Sequence, residues 1–134
     1  MDDMLNKKGS DIWSGALNAV QEAKGINPVV LDLVDHCSWT DYMIVVTATS
    51  RIHLRGIYQK VLDLLKEDKH LFVRNGKGTK DENQWILMDC GSLVIQIQTA
   101  EAREYYDLEG VWFKAERLFT EEDYSSSSSS SSKS

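Results

Sequence analysis

An α+β fold is what this sequence predicts: a β-sheet of four to five strands with flanking helices, in a single domain. Three observations point to it. Apolar residues recur at helical spacing near the start of the chain and again after Ser50. Short β-branched runs at 29–33, 42–49, 85–89 and 93–99 read as strands. A length of 134 residues, 42% hydrophobic and 27% charged, suits one buried core rather than two.

Ser10 and Asp11 are candidate caps for a first helix, in which Ile12, Trp13, Ala16, Ala19, Val20 and Ala23 share one face. Gly25 is placed to end it, and Asn27-Pro28 breaks the pattern. The run 42–49 is long and apolar enough to be a central strand. Ser50 can cap a second helix with an apolar stripe of Leu54, Ile57, Tyr58, Val61, Leu64 and Leu65, leaving Arg51, Arg55, Gln59 and Asp63 wet. Residues 71–73 are a candidate brief strand, and the polar, glycine-containing run 74–83 is a loop. Cys90-Gly91-Ser92 joins the last two strands as an antiparallel hairpin. Thr99 can cap a final helix that carries Tyr105, Leu108 and Trp112 toward the core and Arg103, Tyr106 and Asp107 on a neighbouring side, with Gly110 as an interruption. The expected layout is a flexible 1–9, a folded 10–119 and a disordered acidic and serine-rich 120–134, because the eight serines from Ser125 to Ser132 offer nothing to bury.

The net charge of −6, from 15 basic and 21 acidic side chains, gives no overall basic field to draw the chain onto phosphate backbones. Little direct nucleic-acid contact and a basic protein partner are therefore expected. No run approaches the roughly 18 apolar residues of a membrane-spanning helix, and the acidic start resembles neither a secretory signal nor a transit peptide. A cytoplasmic location with no membrane contact follows as an expectation. Cys37 and Cys90 lack C-x-x-C companions and read as two buried thiols.

Three stretches hold residue types used in catalysis. Asp35-His36-Cys37-Ser38-Trp39-Thr40-Asp41 contains a nucleophile, a base and acids, but residues adjacent in sequence rarely converge on one atom, so a polar connection between strands is the expected role. Gly91-Ser92 followed by Asp107 and Glu109 echoes the Gly-Ser turn and paired acids that hold magnesium in nucleotidyltransferases. Those enzymes place a helix after the turn and the acids on a strand, whereas here the turn enters a strand and the acids fall in a helix, about 200° apart. Residues 75–80 are glycine-rich and basic without a Walker pattern, and His36, His53 and His70 show no ligand spacing, so no metal and no cofactor are expected. What folding does not explain is the last third, where Trp85, Leu87 and Asp89 share a strand face near Arg103, Tyr106, Asp107 and Glu109. Aromatics, an arginine and acids suit a protein interface.

The segments Val30-Leu31-Asp32-Leu33, Thr40 through Ser50, Trp85-Ile86-Leu87-Met88-Asp89-Cys90-Gly91 and Ala102-Arg103-Glu104-Tyr105-Tyr106-Asp107-Leu108-Glu109 with Trp112 resemble the Iojap/RsfS ribosomal silencing factor family in order and spacing. The resemblance covers residues 10 to about 115. It implies a nucleotidyltransferase-like mixed sheet without that class's catalytic acids. It further implies a binding protein, not an enzyme, that docks on a large-subunit ribosomal protein, the fourteenth in its series, at the intersubunit face. There it blocks joining of the subunits and so represses translation, and self-association into a homodimer through the sheet is also implied. By position, the partner-binding residues are Trp85, Leu87, Asp89, Arg103, Tyr105, Tyr106, Asp107 and Glu109. Trp85, Leu87 and Tyr106 would give apolar contact, Asp89 and Asp107 would receive basic side chains, and Arg103 would orient Asp107 four residues on, with Tyr105 mainly in the core. Ala48 stands where the family usually has Gly, Ile95-Gln96 where it has Val-His, and Gly110 where it has a bulkier residue. The alternative is a nucleotidyltransferase-like enzyme acting on a nucleotide or RNA end.

Overall fold

The structure, a computed structural model, describes residues 9–38, 40–67, 84–112 and 114–120. Its elements run α1 (Ser10–Glu22), β1 (Ile26–Asp32), β2 (Tyr42–Ala48), α2 (Arg51–Glu67), β3 (Trp85–Asp89), β4 (Leu93–Thr99), α3 (Ala100–Tyr106), α4 (Leu108–Val111) and β5 (Glu116–Phe119). The candidate strand at 71–73, the loop at 74–83 and the terminal segments 1–8 and 121–134 lie outside the described residues. Among the described residues, no helix is long and apolar enough to cross a membrane.

The five strands form one mixed sheet in the order β3-β4-β2-β1-β5. β2 is central, as its unbroken apolar run predicts, and every one of its residues is buried. It pairs parallel to β4, from Tyr42 opposite Leu93 to Ala48 opposite Thr99, and antiparallel to β1. β3 and β4 make the expected antiparallel hairpin, with Trp85 opposite Gln98 and Asp89 opposite Val94. The short edge strand β5 pairs with β1.

Alternation along the strands separates two apolar layers. On one face Ile44, Val46, Ile86, Met88, Ile95 and Ile97 pack beneath Trp13, Leu17 and Val20 of α1 and Leu54, Ile57 and Val61 of α2. On the other, Val29, Leu31, Met43, Val45 and Val94 meet Leu33 and Ala115, with Leu87, Trp112 and half-buried Cys37 at the margin.

Both helix starts and stops were read from local chemistry, with mixed outcome. Ser50 caps α2 as expected, its Oγ accepting from the His53 N–H at 3.1 Å. For α1 the cap is Gly9, with no side-chain bond, and Ser10 is already inside the helix. The stop also shifts by one residue: Lys24, not Gly25, takes the left-handed conformation (φ 66°). The N–H groups of Gly25 and Lys24 close onto the carbonyls of Val20 and Gln21 at 2.9 Å each, the two bonds of a Schellman ending. Gly25 is required for a different reason: a Cβ there would run into the side chains of Val46 and Val20, so the chain could not pass this close to β2.

Candidate partner-binding surface

The carboxyl end of β4 turns directly into α3, and Thr99 governs the turn. Its hydroxyl accepts from the Ala102 N–H at 3.3 Å, capping the helix as expected, while its own N–H donates to the Gln84 carbonyl at 2.9 Å. The start of β3 and the start of α3 are thereby held side by side.

That junction brings three aromatic rings together. Trp85 and Tyr106 lie 4.4 Å apart between centroids at a 45° tilt, and Tyr105 meets Tyr106 edge-on at 4.9 Å. The Trp85 indole N–H is fixed by donating to Oε1 of buried Gln96 at 2.6 Å. Tyr105 is 80% exposed and Tyr106 38% exposed, so the ring cluster has a dry side against the sheet and a wide wet side. The expected core role of Tyr105 is therefore corrected. The helical stripe from Tyr105 through Leu108 to Trp112 does not exist, because the helix stops at Tyr106.

Asp107 is what stops it. It sits at φ 46°, ending α3 and capping the four-residue α4, with its carboxylate accepting from the Gly110 N–H at 3.2 Å. Aspartate tolerates the left-handed region better than most residues, since its short carboxylate bonds the local backbone. Gly110 lies within α4 and is not the interruption. A Cβ there would strike the Asp107 carboxylate, so the glycine makes room for the cap.

Arg103 does not orient Asp107. Its Nε donates to Glu109 Oε1 at 3.0 Å, and one guanidinium nitrogen reaches the Asn27 carbonyl at 2.8 Å, Thr47 Oγ1 at 2.9 Å and the Ile26 carbonyl at 3.4 Å. The turn at Asp107 swings Glu109 back over α3, which a continuous helix would not do. Glu109 also lies 4.0 Å from Arg117 on β5. Arg103 and Glu109 thus form a strap joining α3 and α4 to the starts of β1 and the end of β2.

The alternation of β3 places Trp85, Leu87 and Asp89 on one face as expected, each half-buried. They do not act at one point. Leu87 faces the second apolar layer, and Asp89 lies roughly 13 Å along the strand from Trp85, where its carboxylate accepts from the Gly91 N–H at 3.0 Å and shapes the hairpin turn. Trp85, Tyr105 and Tyr106 converge, Arg103 and Glu109 converge beside them, Asp107 is exposed between the two groups, and Asp89 stands apart.

Sequence reasoning missed Gln84 and Glu101 around the rings, and noted Gln96 only as a departure from the family pattern. Two glutamines, Gln96 and Gln98, inside a buried strand were the available signal. Gln98, on the same face and 0% exposed, has neither amide atom hydrogen-bonded among the described residues. An orphaned buried amide costs about 1–3 kcal/mol, so Gln98→Met should stabilise the fold by about 1 kcal/mol, raising the thermal midpoint. A lowered midpoint would show that the amide is engaged.

The catalytic readings find no support in the geometry. Cys90 is buried, and burial, then the neighbouring Asp89, pushes its thiol up to about 12, so it stays protonated and unreactive near neutrality. Residues 34–36 form a turn, with the His36 and Cys37 N–H groups both on the Leu33 carbonyl at 3.0 Å. The carboxylates of Asp107 and Glu109 are taken by a backbone N–H and by Arg103. Among the described residues, no group of three or more His, Cys, Asp or Glu is placed to hold a metal ion.

Comparison with known proteins agrees with this picture. A family described as ribosomal silencing factor during starvation, RsfS, matches residues 7–134. A ribosomal silencing factor of Treponema pallidum is 30% identical over 103 residues, 74% of this chain and 91% of that protein. An Iojap-related mitochondrial protein of Arabidopsis thaliana is 30% identical over 95 residues, 68% of this chain, which spans 50% of that relative's length. The mouse protein named mitochondrial assembly of ribosomal large subunit protein 1 is 34% identical over 87 residues, 62% of this chain and 37% of that protein. A crystal structure from Chromobacterium violaceum superposes with a TM-score of 0.72 at 28% identity, over 78% of this chain and 86% of that one. With the family pattern matched from residue 7 onward and a similar fold over 78% of the chain in a structural relative, the chain belongs to the ribosomal silencing factor family, RsfS.

Proposed function

We propose that this protein docks on the large ribosomal subunit through a basic ribosomal protein at the intersubunit face, and that its bulk then keeps the small subunit from joining and represses translation. The observation that carries the reading is the ring cluster of Trp85, Tyr105 and Tyr106, whose outer side is left in water although a folded core had every reason to take it. Family membership supports the ribosome as target, and the name of the mouse relative supports its large subunit. The net charge of −6 suits a basic partner, because opposite charge speeds encounter and rejects wrong surfaces. Free large subunits in the cytoplasm are the place of action, and no chemical step is involved.

Asp107 receives a basic group of the partner in this reading. Asp107→Asn is the clean test, since asparagine keeps both the left-handed preference and the capping oxygen while removing the charge. Binding to purified large subunits should weaken about tenfold with unchanged melting. Sedimentation on sucrose gradients reads the outcome: wild-type protein should travel with large subunits and reduce the joined-ribosome peak. Protein left at the top of the gradient would refute the function.

A further inference from the structure

Beside the rings lies a recess of about 180 Å³, lined by Gln84, Trp85, Glu101, Ala102, Tyr105 and Tyr106. Resting on the docking reading above, we propose that this recess is a subsite for one long basic side chain of the partner, an arginine or a lysine.

Three features select a cation over other occupants. The wall is aromatic, and ring faces attract a cation within about 6 Å of their centroids, most of all the face of tryptophan. The Tyr105 ring, also in the lining, is 80% exposed and so open to an incoming side chain. The charge at the rim is the carboxylate of Glu101, in the first turn of α3, which a cation would neutralise. An apolar occupant would cover that carboxylate without neutralising it. An anion would meet Glu101 directly, and the cation on the same helix, Arg103, is bound to Glu109, two carbonyls and Thr47. The methylene stem of an arginine or lysine would lie over Ala102, which is buried at the base.

The recess can be probed apart from the ribosome. The full chain is titrated with Nα-acetylarginine amide, Nα-acetyllysine amide and the neutral isostere Nα-acetylnorleucine amide, following the Trp85 indole N–H and the tyrosine ring signals by NMR. Both cations should shift the Trp85, Tyr105 and Tyr106 signals and saturate on the order of 10 mM, with norleucine amide at least fivefold weaker. Glu101→Gln should weaken cation binding at least threefold, and Tyr105→Leu, which removes a mostly exposed ring without disturbing the core, should do the same while leaving norleucine amide unaffected. Equal binding of all three amides, or no shift at these rings, overturns the proposal. Glu101→Gln that binds large subunits as tightly as wild type also overturns it. Wild-type chain that takes the cations but ignores large subunits would overturn the docking reading and leave the recess standing.

Discussion

Replacing Arg103 with methionine will cost the fold about 3 kcal/mol, read as a lowered urea midpoint with an unchanged slope. The side chain is 13% exposed and its partner Glu109 22% exposed, so the pair is well shielded from water. Methionine keeps the stem and removes every donor, leaving the shielded Glu109 carboxylate with only the more distant Arg117, at 4.0 Å, and the Thr47 hydroxyl and the solvent-facing carbonyls of Ile26 and Asn27 without the guanidinium. Arg103→Lys should recover little, because one ammonium cannot span a planar set of acceptors on three elements. Adding Glu109→Leu to the methionine variant should return part of the loss, since the stranded charge goes with it. A drop below about 1 kcal/mol for the single variant would mean that water replaces the guanidinium and that the strap contributes little.

The second large effect is on binding. Trp85→Ala should weaken association with large subunits about 100-fold, the loss expected when a central tryptophan anchor is truncated. Some stability goes too, because Oε1 of Gln96, a residue 3% exposed, loses its donor and Tyr106 its stacking partner. Trp85→Phe helps separate the two effects: it keeps a smaller ring against Tyr106 while dropping the N–H and part of the indole's area. Its binding should fall less than tenfold, with most of the stability cost of the alanine variant retained. Binding of a folded Trp85→Ala variant within threefold of wild type would remove the ring cluster from the docking surface.

Much of this was legible because local chemistry and burial agreed. The central position of β2 follows from seven consecutive buried residues, a pattern only a strand covered on both faces can hold. The β3–β4 hairpin and the Thr99 cap were readable because turn and cap each need particular residue types at fixed offsets. The site failed where one residue broke periodicity without a helix-breaker's signature. Asp107 is an ordinary helix-surface residue by composition, so the run from Ala100 to Val111 reads as one helix, and that reading misplaced the side chains on either side of the break. Tyr105 went inward, Arg103 was paired with Asp107, and the strap to Glu109 went unseen. Strand β5 escaped notice for another reason: at four residues, with its first two exposed and charged, it carries too short a pattern to distinguish from a loop.

The parallel pairing of β2 with β4 also sets how this chain must fold. Tyr42 meets Leu93 only after the whole of α2 and β3 has been laid between them, and β1 finds its outer neighbour β5 only near residue 116. The β1–β2 hairpin can form locally, but joining it to the β3–β4 hairpin through the parallel β2–β4 pairing closes a long loop before the contact rewards it, so the chain should fold more slowly than a helical bundle of its size. The β3–β4 hairpin can form early and alone, but its buried faces have nothing to pack on until β2 arrives. The ring cluster, built on that hairpin and on the helix that follows it, therefore reaches its final geometry in the last cooperative step, and a half-folded chain has no competent surface to offer.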